Sequence, residues 1–327
     1  MPAYGRYAAR AAGTDDEDLR MKYFIITVDT EGDDLWSYRD GSPITTENSR
    51  YIPRFQDLCE KYGFIPTYLT NYEMATDDRW RSYAKQKAKE QKCEIGMHLH
   101  AWNSPPAYEL ENKFGGNSYI TEYPADVMRE KIDRMKRLLE ERFEISVTSN
   151  RSGRWATNDA YFQALANSGV TVDCSVTPQL DFSYVAGRSV EKGSDYRRCS
   201  VRPYRLCGEL IEVPMTTRRI RHASQGSVKH RIKTLLLGDD CWLRPLHGSC
   251  KALIDLTGHV EKEPCEYLEF MLHSSELMPG GSPYFKDDTA VEQLYTVLDA
   301  YFEYLTEKGY RGIALTEYAD LIRDTLI

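Results

Sequence analysis

Short apolar runs recur along this chain, and each of several ends on a side chain able to do chemistry. Tyr23–Val28 runs into Asp29, Glu94–Leu99 carries His98, and Ile145–Ser149 leads to Arg151. Thr171–Ser175 carries Asp173, and Tyr267–Leu272 ends on His273. Runs of this length, rich in β-formers and closed by turn residues, predict buried strands. Thr67–Leu69, Glu209–Val213 and Gly312–Leu315 are further short strands by the same reading. Helical spacing fills the intervals at 48–62, 77–91, 124–143, 158–167, 287–308 and 317–323. Strands that alternate with helices predict a parallel sheet, because parallel neighbours need crossover connections. Folds of that α/β class place their chemistry at the C-terminal ends of the strands, where the five polar residues fall.

The 327 residues are 41% hydrophobic and 28% charged, enough for a large core and unlike a disordered chain. The expected organisation is one domain over 21–327, with a polar leader at 1–20 and an irregular insertion around 179–262. A formal net charge of -8 leaves no phosphate-binding footprint, which argues against nucleic acid as a partner. Two basic runs, Arg218–His222 and Lys229–Lys233, read as solvated helix faces. No apolar run reaches the ~20 residues of a membrane span. Eight scattered cysteines without a Cys-x-x-Cys pair, and no secretory signal in the leader, predict reduced thiols and a cytoplasmic protein.

Four clusters carry the chemical reading. Asp29 and Glu31 alternate after the first strand, so both can face one site. His98 and His100 alternate in the same way, a common means of offering two nitrogens to a metal. His273 closes a strand before a Gly/Pro-rich loop and suits a general acid. Arg151-Ser152-Gly153-Arg154-Trp155 offers an arginine to orient a carboxylate and a glycine that lets the backbone approach substrate. Taken alone, each cluster has a plainer reading as a turn, a helix cap or a satisfied core histidine. Their order and shared position at strand ends favour a site.

In that order the segments resemble the polysaccharide deacetylase (NodB-homology, carbohydrate esterase 4-like) family from about Met21 onward. Thr27-Val28-Asp29-Thr30-Glu31 resembles its first motif and Glu94-Ile95-Gly96-Met97-His98 its second. Arg151 matches the third, Asp173-Cys174-Ser175-Val176-Thr177-Pro178 the fourth, and Met271-Leu272-His273-Ser274 the fifth. The resemblance implies a distorted (β/α)7 barrel and a metal-dependent hydrolase that removes an N-acetyl group from a sugar. It assigns catalysis to Asp29, Arg151 and His273. Two departures stand out: Thr30 replaces the usual second Asp, and Trp102 stands where the second His is expected. Glu31, His98 and His100 are then the expected ligands of a divalent metal, zinc by ligand type. Trp102, Arg154, Trp155 and Trp242 are the candidates for holding a carbohydrate substrate. Two other readings remain: hydrolysis of another C–N amide, such as a small cyclic ureide or imide, and a non-catalytic carbohydrate-binding protein with a decayed site.

Overall fold

The computed structural model describes residues 21–39, 41–190, 192–220, 238–246 and 249–326. The expected leader at 1–20 and the basic run at 229–233 lie outside the described residues. In chain order the strands are β1 (Lys22–Thr30), β2 (Pro66–Thr70), β3 (Glu94–Leu99), β4 (Ser149–Ser152), β5 (Val172–Asp173), β6 (Tyr204–Cys207), β7 (Leu210–Glu212), β8 (Thr217–Ile220), β9 (Asp239–Trp242), β10 (Tyr267–His273) and β11 (Tyr310–Gly312). The main sheet runs β10-β1-β2-β3-β4-β5-β7-β6, with β11 against the first residues of β1. Every pairing in it is parallel except β6 with β7. The sheet curls into an open half-barrel of the (β/α)7 type, as the sequence led us to expect.

Strand alternation sorts the side chains into two layers. Phe24, Ile26 and Val28 of β1 face outward and join Ile95, Met97, Leu99 and Phe270 in the larger core. The helices cover this layer: α1 (Ile52–Lys61), α2 (Tyr72–Thr76), α3 (Asp78–Lys89), α4 (Ala125–Phe143), α5 (Asp159–Asn167), α6 (Cys250–Val260) and α7 (Asp288–Glu307). Ile25 faces the other way, with Leu69, Val172, Ile211 and Tyr267, and α8 (Leu315–Ile322) closes this smaller cluster through Leu315 and Tyr318. Continuing up the inward face from Ile25, the residues become Thr27 and then Asp29. The inner layer therefore grades from apolar at the start of β1 to ionisable at its C-terminal end.

Three expectations change. The strand expected at 145–149 begins at Ser149, with Met97 of β3 opposite Asn150. Val147 is buried in the helix-covered core before the ladder begins, so the apolar signal precedes the strand. The stretch 179–262 is only partly irregular, since it holds β6, β7, the β8–β9 hairpin and α6. Arg218 does not lie on a solvated helix face. It is buried in β8 and makes a bidentate pair with Glu263, at 2.7 and 3.0 Å. All eight cysteines are free, as expected. Among the described residues, no helix is long and apolar enough to cross a membrane.

Candidate metal centre and active site

Three buried donors meet where β1 and β3 end. The His98 and His100 Nε2 atoms lie 3.0 Å apart, and the Glu31 carboxylate lies 3.5 Å from the first and 3.2 Å from the second. An ion about 2.1 Å from each of three donors has ligands about 3.0 Å apart in an octahedron and about 3.4 Å apart in a tetrahedron. The observed edges span those values, and one carboxylate with two imidazoles is a donor set suited to zinc and similar divalent ions. The residues therefore fit a metal.

The surroundings prepare one imidazole better than the other. His98 Nδ1 faces the Arg151 carbonyl oxygen at 2.9 Å. A carbonyl only accepts, so the proton sits on Nδ1 and Nε2 is the atom offered to the site. Burial opposes charge on the His98 ring, but Asp29 and Glu31 outweigh it and raise its pKa. Burial prevails at His100 and lowers its pKa. Burial would likewise raise Glu31, yet the histidines facing it hold it well below the ordinary range. His100 lies flat on Trp102, with ring centroids 4.2 Å apart, and its buried Nδ1 has no hydrogen-bond partner. Gly153 makes room for this ring. A Cβ there would meet His100 Cδ2 at 2.3 Å and the Leu99 carbonyl oxygen at 2.6 Å. The close approach expected at Gly153 was toward substrate, whereas the structure packs it against His100 and the Leu99 carbonyl.

Asp29 is held from below by a fully buried arginine. Arg151 donates from Nη1 to Asp29 Oδ1 at 2.7 Å and from Nη2 to Glu269 at 2.5 Å and Thr27 Oγ1 at 2.8 Å. Its Nε donates to the Cys174 carbonyl at 3.2 Å. Burial alone would raise the Asp29 pKa, but Arg151, His98 and His273 together lower it. Asp29 is therefore an anion whose free oxygen, Oδ2, lies 3.9 Å from His98 Nε2 and 3.7 Å from His273 Nε2.

His273 completes the site from β10. Its Nε2 faces Asp29 and Glu31, at 3.7 and 3.8 Å. Its Nδ1 lies 3.4 Å from Glu276 Oε1 and 3.2 Å from Arg244 Nη2, and those two partners pair with each other at 2.6 Å. Glu276 is fully buried, and Arg244 and His273 offset that burial and lower its pKa. Sequence reasoning missed Glu276 and Arg244 as site residues. The His-x-x-Glu spacing over a single helical turn was a usable signal for Glu276. Glu73, also missed, is the third such residue. It lies in α2, just after β2, accepts a hydrogen bond from Asn103 Nδ2, and its pKa is pushed up to about 7, chiefly by burial and also by Glu31.

No family model matches the sequence, and no curated protein matches it. The structure is similar to that of a Mycobacterium smegmatis protein assigned as a polysaccharide deacetylase. The TM-score is 0.57 at 15% identity, over 98% of this chain and 96% of that one. The chain has the polysaccharide deacetylase fold. Weaker likenesses include a family 4 acetyl xylan esterase from Clostridium thermocellum in complex with a cobalt ion, at TM-score 0.44 and 13% identity over 92% and 91% of the two chains. Another is a carbohydrate esterase 4 family pseudoenzyme from Bacillus anthracis, at 0.43 and 12% over 91% and 65%.

In this deacetylase fold the remaining candidates take different positions. Arg154 and Trp155 are consecutive left-handed residues, at φ 56° and 57°. Such backbone costs about 1–2 kcal/mol per non-glycine residue and concentrates at functional loops. It sets Trp155 over the Arg151 guanidinium at 4.9 Å and against Trp242 at 5.4 Å. The Arg154 guanidinium is engaged elsewhere, on the carbonyls of Asn117 and Ala186 and over the Tyr119 ring. Trp102 is half-buried against His100.

Proposed function

We propose that this chain is a metal-dependent hydrolase that removes an N-acetyl group from a sugar, with residues 21–327 acting as one catalytic domain. The observation that carries this reading is the meeting of Glu31, His98 and His100 beside an ionised Asp29 and an inward-facing His273. Glu31, His98 and His100 would hold the ion, with zinc first by ligand type. Such an ion polarises the amide carbonyl and makes water more acidic. Asp29 Oδ2 accepts the proton of the attacking water, while Arg151 fixes Oδ1 and keeps the carboxylate ionised. His273 Nε2 delivers a proton to the leaving nitrogen as the C–N bond breaks. Glu276 and Arg244 fix its ring at Nδ1. A C–O bond forms and a C–N bond breaks, giving acetate and an amino sugar. Trp102, Trp155 and Trp242 are candidates to pack on the sugar, and Arg154 supports the loop that carries Trp155.

A non-catalytic carbohydrate-binding protein is the second reading. What favours it is Trp102 at the position of the family's second histidine, together with the unpartnered Nδ1 of His100. Acetate release from N-acetylated glycans by the zinc-loaded chain separates the two. The hydrolase reading expects release that stops on Asp29→Asn. It fails if the chain takes up no metal and Asp29→Asn leaves every measured activity as it was.

A further inference from the structure

Two aromatic rings at the mouth of the site belong to neither core cluster. Trp36 and Tyr284 are 38% and 44% exposed. Trp36 meets the His273 ring edge-on at 4.8 Å, and Tyr284 meets Trp36 at 5.9 Å with the planes near perpendicular. They come from different loops, after β1 and after β10, so their meeting is a product of the fold.

The loops are built to hold them there. Asp34 N–H donates to the Gly281 carbonyl at 3.1 Å and ties one loop to the other. Asp34 takes a left-handed conformation, at φ 42°. Gly281 packs so tightly that a Cβ would lie 2.3 Å from the Ser275 carbonyl oxygen. Backbone strain spent on showing two large rings to solvent has no return in core burial, and it is the pattern of a ligand platform.

We infer that Trp36 and Tyr284 form an aromatic platform that stacks against the pyranose ring bearing the scissile amide. The inference rests on the reading of the site given above. His273 faces the leaving nitrogen in that reading, and Trp36 touches His273, so a ring attached to that nitrogen must pass over Trp36. A pyranose presents an apolar face of C–H groups with hydroxyls around its edge. An exposed indole beside an exposed phenol complements this shape, covering the face and leaving the rim in water. The platform is distinct from Trp102, Trp155 and Trp242, which pack against His100, Arg151 and each other.

The test is calorimetric titration of the metal-stripped full chain with the β-1,4-linked tetramer of N-acetylglucosamine, where no turnover interferes. Trp36→Ala with Tyr284→Ala is expected to weaken binding at least ~10-fold, and Trp36→Phe with Tyr284→Phe to stay within ~3-fold of wild type. Binding by the alanine pair within ~2-fold of wild type overturns the inference, as does a wild-type chain that binds no tetramer. Acetate release by the zinc-loaded chain is read separately. An active chain whose alanine pair binds normally loses the platform and keeps the hydrolase. An inactive chain whose alanine pair loses the tetramer keeps the platform and loses the hydrolase.

Discussion

Two buried charge clusters sit side by side in the open barrel, and they are balanced in different ways. Around Arg151, the positive charge is permanent, and all three guanidinium nitrogens reach acceptors on Asp29, Thr27, Glu269 and Cys174. Around Glu31, among the described residues, positive charge comes from protonating an imidazole. Two ring nitrogens and a carboxylate crowd within 3.5 Å, and His100 Nδ1 is left without a partner. The first cluster is balanced by a fixed protein charge, with Glu269 Oε2 its one atom lacking a partner, and the second has three facing donors that could hold a cation. Buried charges are stable when paired and bonded, so the Glu31 cluster is the one that a bound cation would stabilise.

The contrast can be broken most sharply through activity. Stripping the metal, or His98→Gln, is expected to lower kcat/KM on an N-acetylated glycan at least ~10³-fold. Adding zinc back restores the stripped protein and leaves the variant inactive. Stability separates the clusters next. Arg151→Met leaves Asp29 and Glu269 as unpaired buried carboxylates and should cost about 3–5 kcal/mol in urea unfolding. Glu31→Gln in the metal-free protein should cost less than about 1 kcal/mol, because an imidazole can shed the proton left behind and a guanidinium cannot. Equal losses in the two variants would contradict the contrast.

Gly153→Ala sharpens it further. The added methyl group presses on His100 and the Leu99 carbonyl. Titration calorimetry should show metal affinity reduced about 10–100-fold, the usual effect of disturbing the support of a ligand.

The smallest effect concerns a third buried pair that has neither an arginine nor a metal. Asp173 and Glu212 are opposite one another on β5 and β7, and both are fully buried. Asp173 accepts from Asn150, and Glu212 accepts from the Val176 N–H while its Oε2 finds no donor. Burial and Asp173 push the Glu212 pKa well above its ordinary 4.5. The folded chain then keeps a proton that the unfolded chain releases near 4.5. This contribution to stability is full below that pH and is lost as pH rises toward the folded value. Glu212→Gln holds the proton's place permanently, so its urea midpoint should fall less than that of wild type from pH 5 to 9.

Much of the site was legible in the sequence because strand alternation is a strict geometry. Asp29 and Glu31 follow one apolar run, and His98 and His100 straddle the end of another, so each pair was expected on one side and is found there. The parallel α/β class followed from the same runs. What escaped depended on contacts between distant segments. Strand β4 is Ser-Asn-Arg-Ser, polar yet wholly buried, because its side chains bond Asp29, Asp173 and neighbouring loops. Hydrophobic periodicity cannot register such a strand, and the apolar Ile145 and Val147 before it drew the boundary early. Arg244 lies just beyond β9, in a stretch without periodicity, and reaches His273 only because β9 is brought back toward β10. Trp36 reads as an ordinary loop tryptophan until the loop after β10 is placed against it.

The central claim is that Glu31, His98 and His100 form a metal site, and metal analysis of the purified full chain tests it most directly. After dialysis against zinc and removal of free ion, the account predicts one zinc per chain. It also predicts none in a Glu31→Gln, His98→Gln, His100→Gln triple variant that folds with the same circular dichroism spectrum. Wild-type protein without zinc, or a triple variant that still carries one per chain, would contradict it.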